Sequence, residues 1–319
     1  MLVTGGAGFI GSHVVDALLA RGDEVGVLDA FHPYYPREIK ERNLAVARQK
    51  PNLRAVWETD VRDAKAVGDV LDTHAPEAVI HLAARAGVRP SLDAPEEYAD
   101  VNVTGTAILL HEAAARGIER FLFASSSSVY GEKPRGPFVE ELDADHPISP
   151  YGATKRSGEL LAYAAHKATG ISVACIRIFT AYGPRQRPDL AIHTFARRML
   201  AGEEIPLFGD GSAERDFTFV GDLTNGILRA LDRIEGFATY NLGSGEPVTM
   251  NETIATLERV LGVSARRQTL AVRPGDVPRT WASIDRASRE LGYAPQTSLE
   301  EGICEFATWL SGEGACVSS

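Results

Sequence analysis

The chain has 319 residues, 44% of them hydrophobic and 24% charged, which is enough apolar material for one large core or two moderate ones. Its formal net charge of −10 argues against a general nucleic-acid or anionic-membrane binder, though a few local arginines could still hold an anionic small molecule. No apolar run approaches the ~20 residues of a membrane-spanning helix. Cys175, Cys304 and Cys316 stand outside any CxxC pattern and the eight histidines form no HExxH spacing, so a reducing cytoplasm and no metal are expected.

The chain opens on Val3-Thr4-Gly5-Gly6-Ala7-Gly8-Phe9-Ile10-Gly11-Ser12. A short apolar strand at residues 1–3 leaves no room for a signal peptide ahead of it. Gly5, Gly8 and Gly11 let that strand turn sharply into an amphipathic helix, whose free N–H groups can face an anion such as a dinucleotide pyrophosphate. A glycine triplet also suits a purely structural turn. The next strand decides between the two, because residues 25–28 end at Asp29, 18 residues beyond Gly11. A carboxylate there accepts both hydroxyls of an adenosine ribose and repels a 2′-phosphate, which favours NAD over NADP.

An aromatic, proline-rich loop follows at 30–36, then a polar helix at 38–49 and a strand at 53–57 that runs into Asp60 and Val61. Helical spacing returns at 64–73, and residues 78–82 form a buried strand that ends in Ala83 and Ala84. A long helix is expected over 96–116 and a strand over 121–124. Helix and strand alternate again through 147–170 and 172–178. Such alternation implies right-handed βαβ units and a parallel sheet, with ligands outside the carboxyl ends of the strands. Past residue 181 the texture becomes irregular. The expected division is a Rossmann-type NAD-binding domain at 1–180, with segments returning to it at about 216–244, and a smaller lobe from 181–215 and 245–319. The fold class is therefore α/β, a doubly wound parallel sheet with a smaller irregular lobe.

Tyr151-Gly152-Ala153-Thr154-Lys155 carries the sharpest chemical signal. Residues four apart share a helix face, and an ammonium beside a phenol favours the phenolate, a general base. Upstream, Ser125-Ser126-Ser127-Ser128-Val129-Tyr130-Gly131 follows a strand directly, which places hydroxyls where the ligand should sit. Cys175 lies in an apolar strand and is read as core. The acidic pairs Glu96-Glu97 and Glu140-Glu141 are read as solvated faces.

Together the TGGAGFIG turn, Asp29, Asp60-Val61, His81-Leu82-Ala83-Ala84, Asn102, SSSSVYG, Tyr151 with Lys155, and the late Arg273-Pro274-Gly275-Asp276 cluster resemble the extended short-chain dehydrogenase/reductases. Within that group the likeness is to the NAD-dependent nucleotide-sugar epimerases and dehydratases, in family order over nearly the whole chain. The resemblance implies a cofactor site of Gly5, Gly8, Phe9, Ile10, Gly11, Asp29, Asp60, Val61, Leu82, Ala83, Ala84, Asn102, Tyr151 and Lys155. It implies Ser126 as the catalytic hydroxyl and Lys155 on the nicotinamide ribose. In the second lobe it implies Arg215 and Arg273 on the phosphates, Asp276 on the uridine ribose, and Phe208 either at the uracil or in the core. It also implies a homodimer formed by the helices around 102–116 and Tyr151, with Ile108-Leu109-Leu110 and Leu160-Leu161 available for the interface.

Similar dehydratases carry an Asp-Glu pair at the positions of Ser127 and Ser128, and similar decarboxylases keep a Glu at the second. Serine cannot do that proton chemistry near neutral pH, which leaves 4-epimerisation. Thr180 and the Gly183-Pro184-Arg185-Gln186-Arg187-Pro188-Asp189 run resemble UDP-glucuronate 4-epimerases, where guanidinium and hydroxyl groups would suit a C6 carboxylate. UDP-glucuronate and UDP-galacturonate are therefore the expected substrates, with a UDP-glucose/UDP-galactose epimerase or a UDP-glucuronate decarboxylase as alternatives. Arg185 and Arg187 could instead be surface residues paired with Asp189. The roles of Arg85 and Arg89 stay open.

Overall fold

The computed structural model describes residues 1–132, 136–272 and 275–312. Its strands are β1 (Leu2–Thr4), β2 (Val25–Asp29), β3 (Leu53–Glu58), β4 (Ala78–His81), β5 (Arg120–Ser126), β6 (Ser172–Ile178) and β7 (Thr180–Tyr182). They continue with β8 (Glu204–Phe208), β9 (Glu214–Arg215), β10 (Phe217–Phe219), β11 (Phe237–Leu242), β12 (Val248–Thr249) and β13 (Arg266–Leu270). Seven of them form one sheet in the order β11-β6-β5-β4-β1-β2-β3, and every neighbouring pair is parallel. The order reverses beside β1, so β1 and β4 splay their following loops apart and open a crevice at their carboxyl ends.

The period of two along each strand divides the core. Val3, Val27, Ile80, Leu122 and Ile176 face one side, where the helices Phe9–Arg21 and Val220–Asp232 pack through Val14, Leu18, Leu223 and Ile227. Leu2, Leu28, Val79, Phe121, Phe123 and Cys175 face the other, against Val67, Leu71, Leu109, Leu110 and Ala162 of the helices Ala64–His74, Gly105–Ala115 and Pro150–Thr169. Burying each such aliphatic or aromatic side chain contributes ~1.5–3 kcal/mol relative to leaving it exposed, so the sheet is a rigid platform. A third cluster holds Ile192, Phe195, Ile205, Leu207, Ile254, Leu257, Ile303 and Phe306, together with Phe9 and Phe219.

Four expectations are corrected. The 96–116 segment is not one α-helix: Pro95–Ala99 and Gly105–Ala115 flank a π-helical turn at Asp100–Thr104, and a further helix, Val88–Asp93, precedes them. Leu109 and Leu110 are 0% and 3% exposed and belong to the core, so they are not available to a dimer interface. Leu160, in contrast, is 53% exposed. Glu140 is buried, with a carboxylate oxygen accepting from the Asn241 amide at 2.8 Å, because the chain after residue 136 tucks beneath β6 and β11. Glu97 is paired with Arg85. Cys175 is fully buried, as expected, and burial pushes its thiol up.

Candidate active site

A cavity of about 430 Å³ lies at the carboxyl ends of the central strands. Its floor is the glycine turn. Gly5 takes φ +69°, and its amide donates to the Leu28 carbonyl at 2.7 Å, which ties the turn to β2. The helix Phe9–Arg21 starts at Gly8 with no side-chain cap and no acidic residue in its first turn. Its first N–H groups and dipole therefore suit an anion. A Cβ on Gly11 would lie 2.1 Å from the Gly5 carbonyl oxygen, so only hydrogen fits where the helix meets the turn.

Asp29, Asp60, Val61, Leu82, Ala83 and Ala84 line the cavity together with the glycine turn, Phe9 and Ile10. The Asp29 carboxylate is 5% exposed and accepts from the Ala7 amide at 3.1 Å, the Phe31 amide at 2.8 Å and Lys40 Nζ at 3.2 Å. Lys40 was missed by sequence reasoning, since nothing local marks a lysine in a polar helix for burial. The Arg62 side chain grips Asp60 and holds its carboxyl below the usual range.

The reacting end is built from β5 and the helix Pro150–Thr169. Ser149 caps that helix by accepting from the Gly152 amide at 3.1 Å, Pro150 occupies its first turn, and Gly170 ends it in a left-handed conformation. Tyr151 is anchored by its amide, which donates to Ser91 Oγ at 3.1 Å, and its ring meets Tyr98 edge-on at 6.2 Å. Burial raises the Tyr151 pKa, while a hydrogen bond with Ser126 and the charge of Arg187 pull it down. Lys155 is 4% exposed and donates to the Ala124 carbonyl at 2.8 Å; burial lowers its pKa to about 7. Arg187 is thus a charged group that acts to lower the Tyr151 pKa.

Beneath the serines sits a buried charge network that sequence reasoning missed. Glu159 accepts from Ser125 at 2.6 Å, from Arg177 Nε and Nη2 at 2.9 Å each, and from Arg156 at 2.9 Å. It fixes the end of β5 to the helix bearing Tyr151 and Lys155. On the adjacent strand β4, His81 is 1% exposed and bonded to the hydroxyls of Thr4 at 2.7 Å and Thr106 at 3.0 Å. Burial, aided by the charge of Lys155, pushes its pKa down to about 3. A depressed folded pKa makes a stabilising contribution that is complete above the unfolded value near 6.5 and is lost as pH falls toward 3. His81→Gln is therefore expected to flatten the loss of stability between about pH 6.5 and 4 in urea titrations, and an unchanged slope would refute the assignment.

Ser126, Ser127, Ser128, Thr180 and Arg187 also line the cavity. Arg187 is held by Asp189 through Nε at 3.0 Å and Nη2 at 2.8 Å, and Nη1 has no hydrogen-bond partner among the described residues. Two residues earlier the placement is different. Arg185 takes φ +63°, does not line the cavity and pairs with Asp16 at 2.7 Å, so in this structure it is not beside Arg187 at the expected substrate position. Asn102, expected among the cofactor contacts, is engaged with other residues in this structure. It is 2% exposed and spends its amide on the Arg85 backbone, at 2.8 and 2.9 Å, and on Thr154 at 3.0 Å. It holds the loop after β4 in place and does not line the cavity.

Phe208, Arg215 and Asp276 do not line this cavity but gather around Arg89, which follows the cavity-lining Val88 in the chain. Arg89 bonds Asp276 at 2.8 Å and lies 4.9 Å from the Phe208 ring centroid. Arg215 is close enough to feel both charged partners, and burial lowers its pKa. Arg273 lies outside the described residues. The partners Arg89 and Asp276 are 187 positions apart, which is why the role of Arg89 stayed open in the sequence.

Fold and cavity together define a dinucleotide-binding enzyme of the short-chain dehydrogenase/reductase kind. The NAD dependent epimerase/dehydratase family matches residues 1–243. The chain belongs to that family. It is 40% identical over 310 residues to a UDP-glucuronate 4-epimerase of Thermodesulfobacterium geofontis, covering 97% of this chain and 95% of the relative. A crystal structure of UDP-glucuronic acid 4-epimerase from Bacillus cereus, in complex with UDP-glucuronic acid and NAD, superposes with a TM-score of 0.92 at 36% identity over 98% of each chain. The UDP-glucose 4-epimerase of Thermus thermophilus in complex with NAD follows at 0.88 and 33%, again over 98% of each chain.

Proposed function

We propose that this enzyme epimerises UDP-hexuronic acids at C4, interconverting UDP-glucuronate and UDP-galacturonate. The observation that carries the substrate choice is Arg187: a cavity-lining guanidinium with its Nη1 edge unused, beside the hydroxyls of Ser127, Ser128 and Thr180. Those groups match a C6 carboxylate in charge and hydrogen-bonding capacity. The cavity also lacks a carboxylate at either serine position, so the acid and base that dehydration would need are missing.

The residues fit NAD. The glycine turn leaves space and free amides for a pyrophosphate, Asp29 with Lys40 suits the adenosine ribose, and Lys155 suits the nicotinamide ribose. Bound there, NAD supplies a reversible hydride acceptor for C4. Tyr151 takes the proton of the sugar 4-hydroxyl and gives it back after the sugar has turned over, and Ser126 steadies that hydroxyl by hydrogen bonding. Arg89, Arg215, Asp276 and Phe208, with Arg273, hold the UDP end, which lets the hexuronic ring rotate while the nucleotide stays fixed. Residues 1–180 with 216–244 serve as the cofactor lobe, and 181–215 with 245–319 as the nucleotide-sugar lobe. We also place the enzyme in the cytoplasm as a homodimer, supported by its scattered cysteines and by exposed Leu160 and Tyr163 on the helix of Tyr151.

The 4-keto uronate is a β-keto acid that loses CO2 when its C5–C6 bond aligns with the carbonyl π system. Short side chains gripping the carboxylate oppose that alignment. Thr180→Val combined with Ser128→Ala is therefore expected to raise the UDP-pentose fraction several-fold. Chromatography with mass detection on UDP-glucuronate and UDP-glucose tests the whole assignment. An isomer of unchanged mass from the uronate supports it, loss of CO2 marks a decarboxylase, and turnover of UDP-glucose alone marks the neutral-sugar epimerase.

A further inference from the structure

The loop after Asp29 contains Phe31-His32-Pro33-Tyr34-Tyr35, and the proposed chemistry makes no use of it. Pro33 in it is exposed, but the loop also reaches the cavity. Tyr34 lines the cavity, with two guanidinium groups against its ring: Arg85 at 4.9 Å and Arg187 at 5.2 Å from the centroid. Its hydroxyl reaches the Asp189 carboxylate at 3.5 Å, the same carboxylate that binds Arg187 through Nε and Nη2. Arg85 is restrained independently, donating to Glu97 at 2.8 Å and bonded to His32 at 2.9 Å.

We propose that Tyr34 is the positioning residue for Arg187, holding its guanidinium so that the Nη1 edge is presented to the substrate carboxylate. Asp189 fixes one edge of the guanidinium in its own plane, and beyond that Nη2 reaches only the Ala86 carbonyl among the described residues, at a long 3.5 Å, so swing about that edge is weakly opposed. An aromatic face supplies the missing restraint. It attracts a cation through its quadrupole, and the attraction strengthens when water is excluded. The same ring attracts Arg85, so two like charges are kept near one another without either being expelled. Because Tyr34 belongs to the loop after β2 and Arg187 to the segment after β7, the contact also links the cofactor lobe to the arm that selects the sugar. Tyr34 would then discriminate between uronate and neutral sugar without touching the reacting carbon.

The inference rests on the assignment of Arg187 to the C6 carboxylate, and the test separates the two. The affinities of UDP-glucuronate and UDP-glucose are measured by calorimetry on the NAD-loaded wild type and on Tyr34→Leu, Tyr34→Phe and Arg187→Met, with melting temperature and bound NAD as controls for folding. Tyr34→Leu is expected to weaken UDP-glucuronate roughly tenfold while leaving UDP-glucose within about twofold. Tyr34→Phe, which keeps the ring, is expected to restore the uronate affinity to within about twofold of wild type. Arg187→Met sets the maximum loss of preference. If Arg187→Met loses the uronate preference and Tyr34→Leu keeps it, the positioning role is overturned and the carboxylate assignment stands. If Arg187→Met itself keeps the preference, both fall. Equal weakening of both ligands by Tyr34→Leu would show a merely structural loop and would also overturn the proposal.

Discussion

Tyr151→Phe is expected to lower kcat by ~10²–10⁴-fold, the range that a positioned proton-transfer group contributes. The change removes one oxygen and little else. The phenyl ring keeps its edge-on contact with Tyr98, and the backbone amide keeps its bond to Ser91. Folding and bound NAD should therefore stay near wild-type levels, and KM for the uronate should move far less than kcat. The hydroxyl is nevertheless the only group in the proposed chemistry placed to take the proton. Burial raises its pKa, and Ser126 and Arg187 act against that rise, which is the balance a base needs in a water-poor cavity. Steady-state kinetics on purified protein decide the point. A variant that retained more than about a tenth of the wild-type kcat would remove Tyr151 from the proposed role.

Gly11→Ala should be almost as damaging, through a different mechanism. The added methyl carbon would sit 2.1 Å from the Gly5 carbonyl oxygen, far inside any tolerable contact. Gly5 cannot retreat, because its amide is bonded to Leu28 and the backbone of Leu82 and Ala83 lies so near that a Cβ on Gly5 would itself fall within 2.7–2.9 Å of it. The helix must therefore shift away from the turn, which opens the one place where its free amides converge on an anion. Overpacking of this kind costs ~1–3 kcal/mol of stability. The larger effect is expected on the cofactor, with little or no NAD retained through purification. Gly22, at the other end of the same helix, has φ +95° and nothing within 4 Å of where a side-chain carbon would stand, so Gly22→Asn should keep its NAD. Acid release of bound nucleotide from the two variants gives the comparison. Full NAD occupancy in Gly11→Ala would contradict the steric account.

Both predictions concern features that local sequence spells out. A strand, a glycine turn and a helix must be contiguous, and so must a tyrosine and lysine one helical turn apart. Short-range sterics and the 3.6-residue period then place these groups wherever the helix packs. The ends of parallel strands are likewise legible, since alternation of strand and helix leaves few topologies, and this marks Asp29, the Ser125–Ser128 run and Thr180, whereas Asp60, Ala83, Ala84 and the choice of Ser126 come from the family resemblance. What the sequence by itself determined is thus the parallel α/β fold and the dinucleotide turn, and it singled out the tyrosine and lysine of the proposed reacting end.

Tertiary structure alone decided the rest. Arg185 and Arg187 look alike in sequence, yet a single left-handed residue sends one to Asp16 and leaves the other in the cavity. Asn102 reads as a cofactor residue until its amide is seen to be consumed by the Arg85 backbone and Thr154. Lys40 and Glu159 carry no sign of burial in the sequence, but each lies beside an opposite charge that makes its burial tolerable. Arg89 meets Asp276, and Tyr34 meets Arg187, across long stretches of chain. A charge or an aromatic ring carries no local sign of its partner, because the pairing energy depends on distance in space. Only tertiary packing sets that distance.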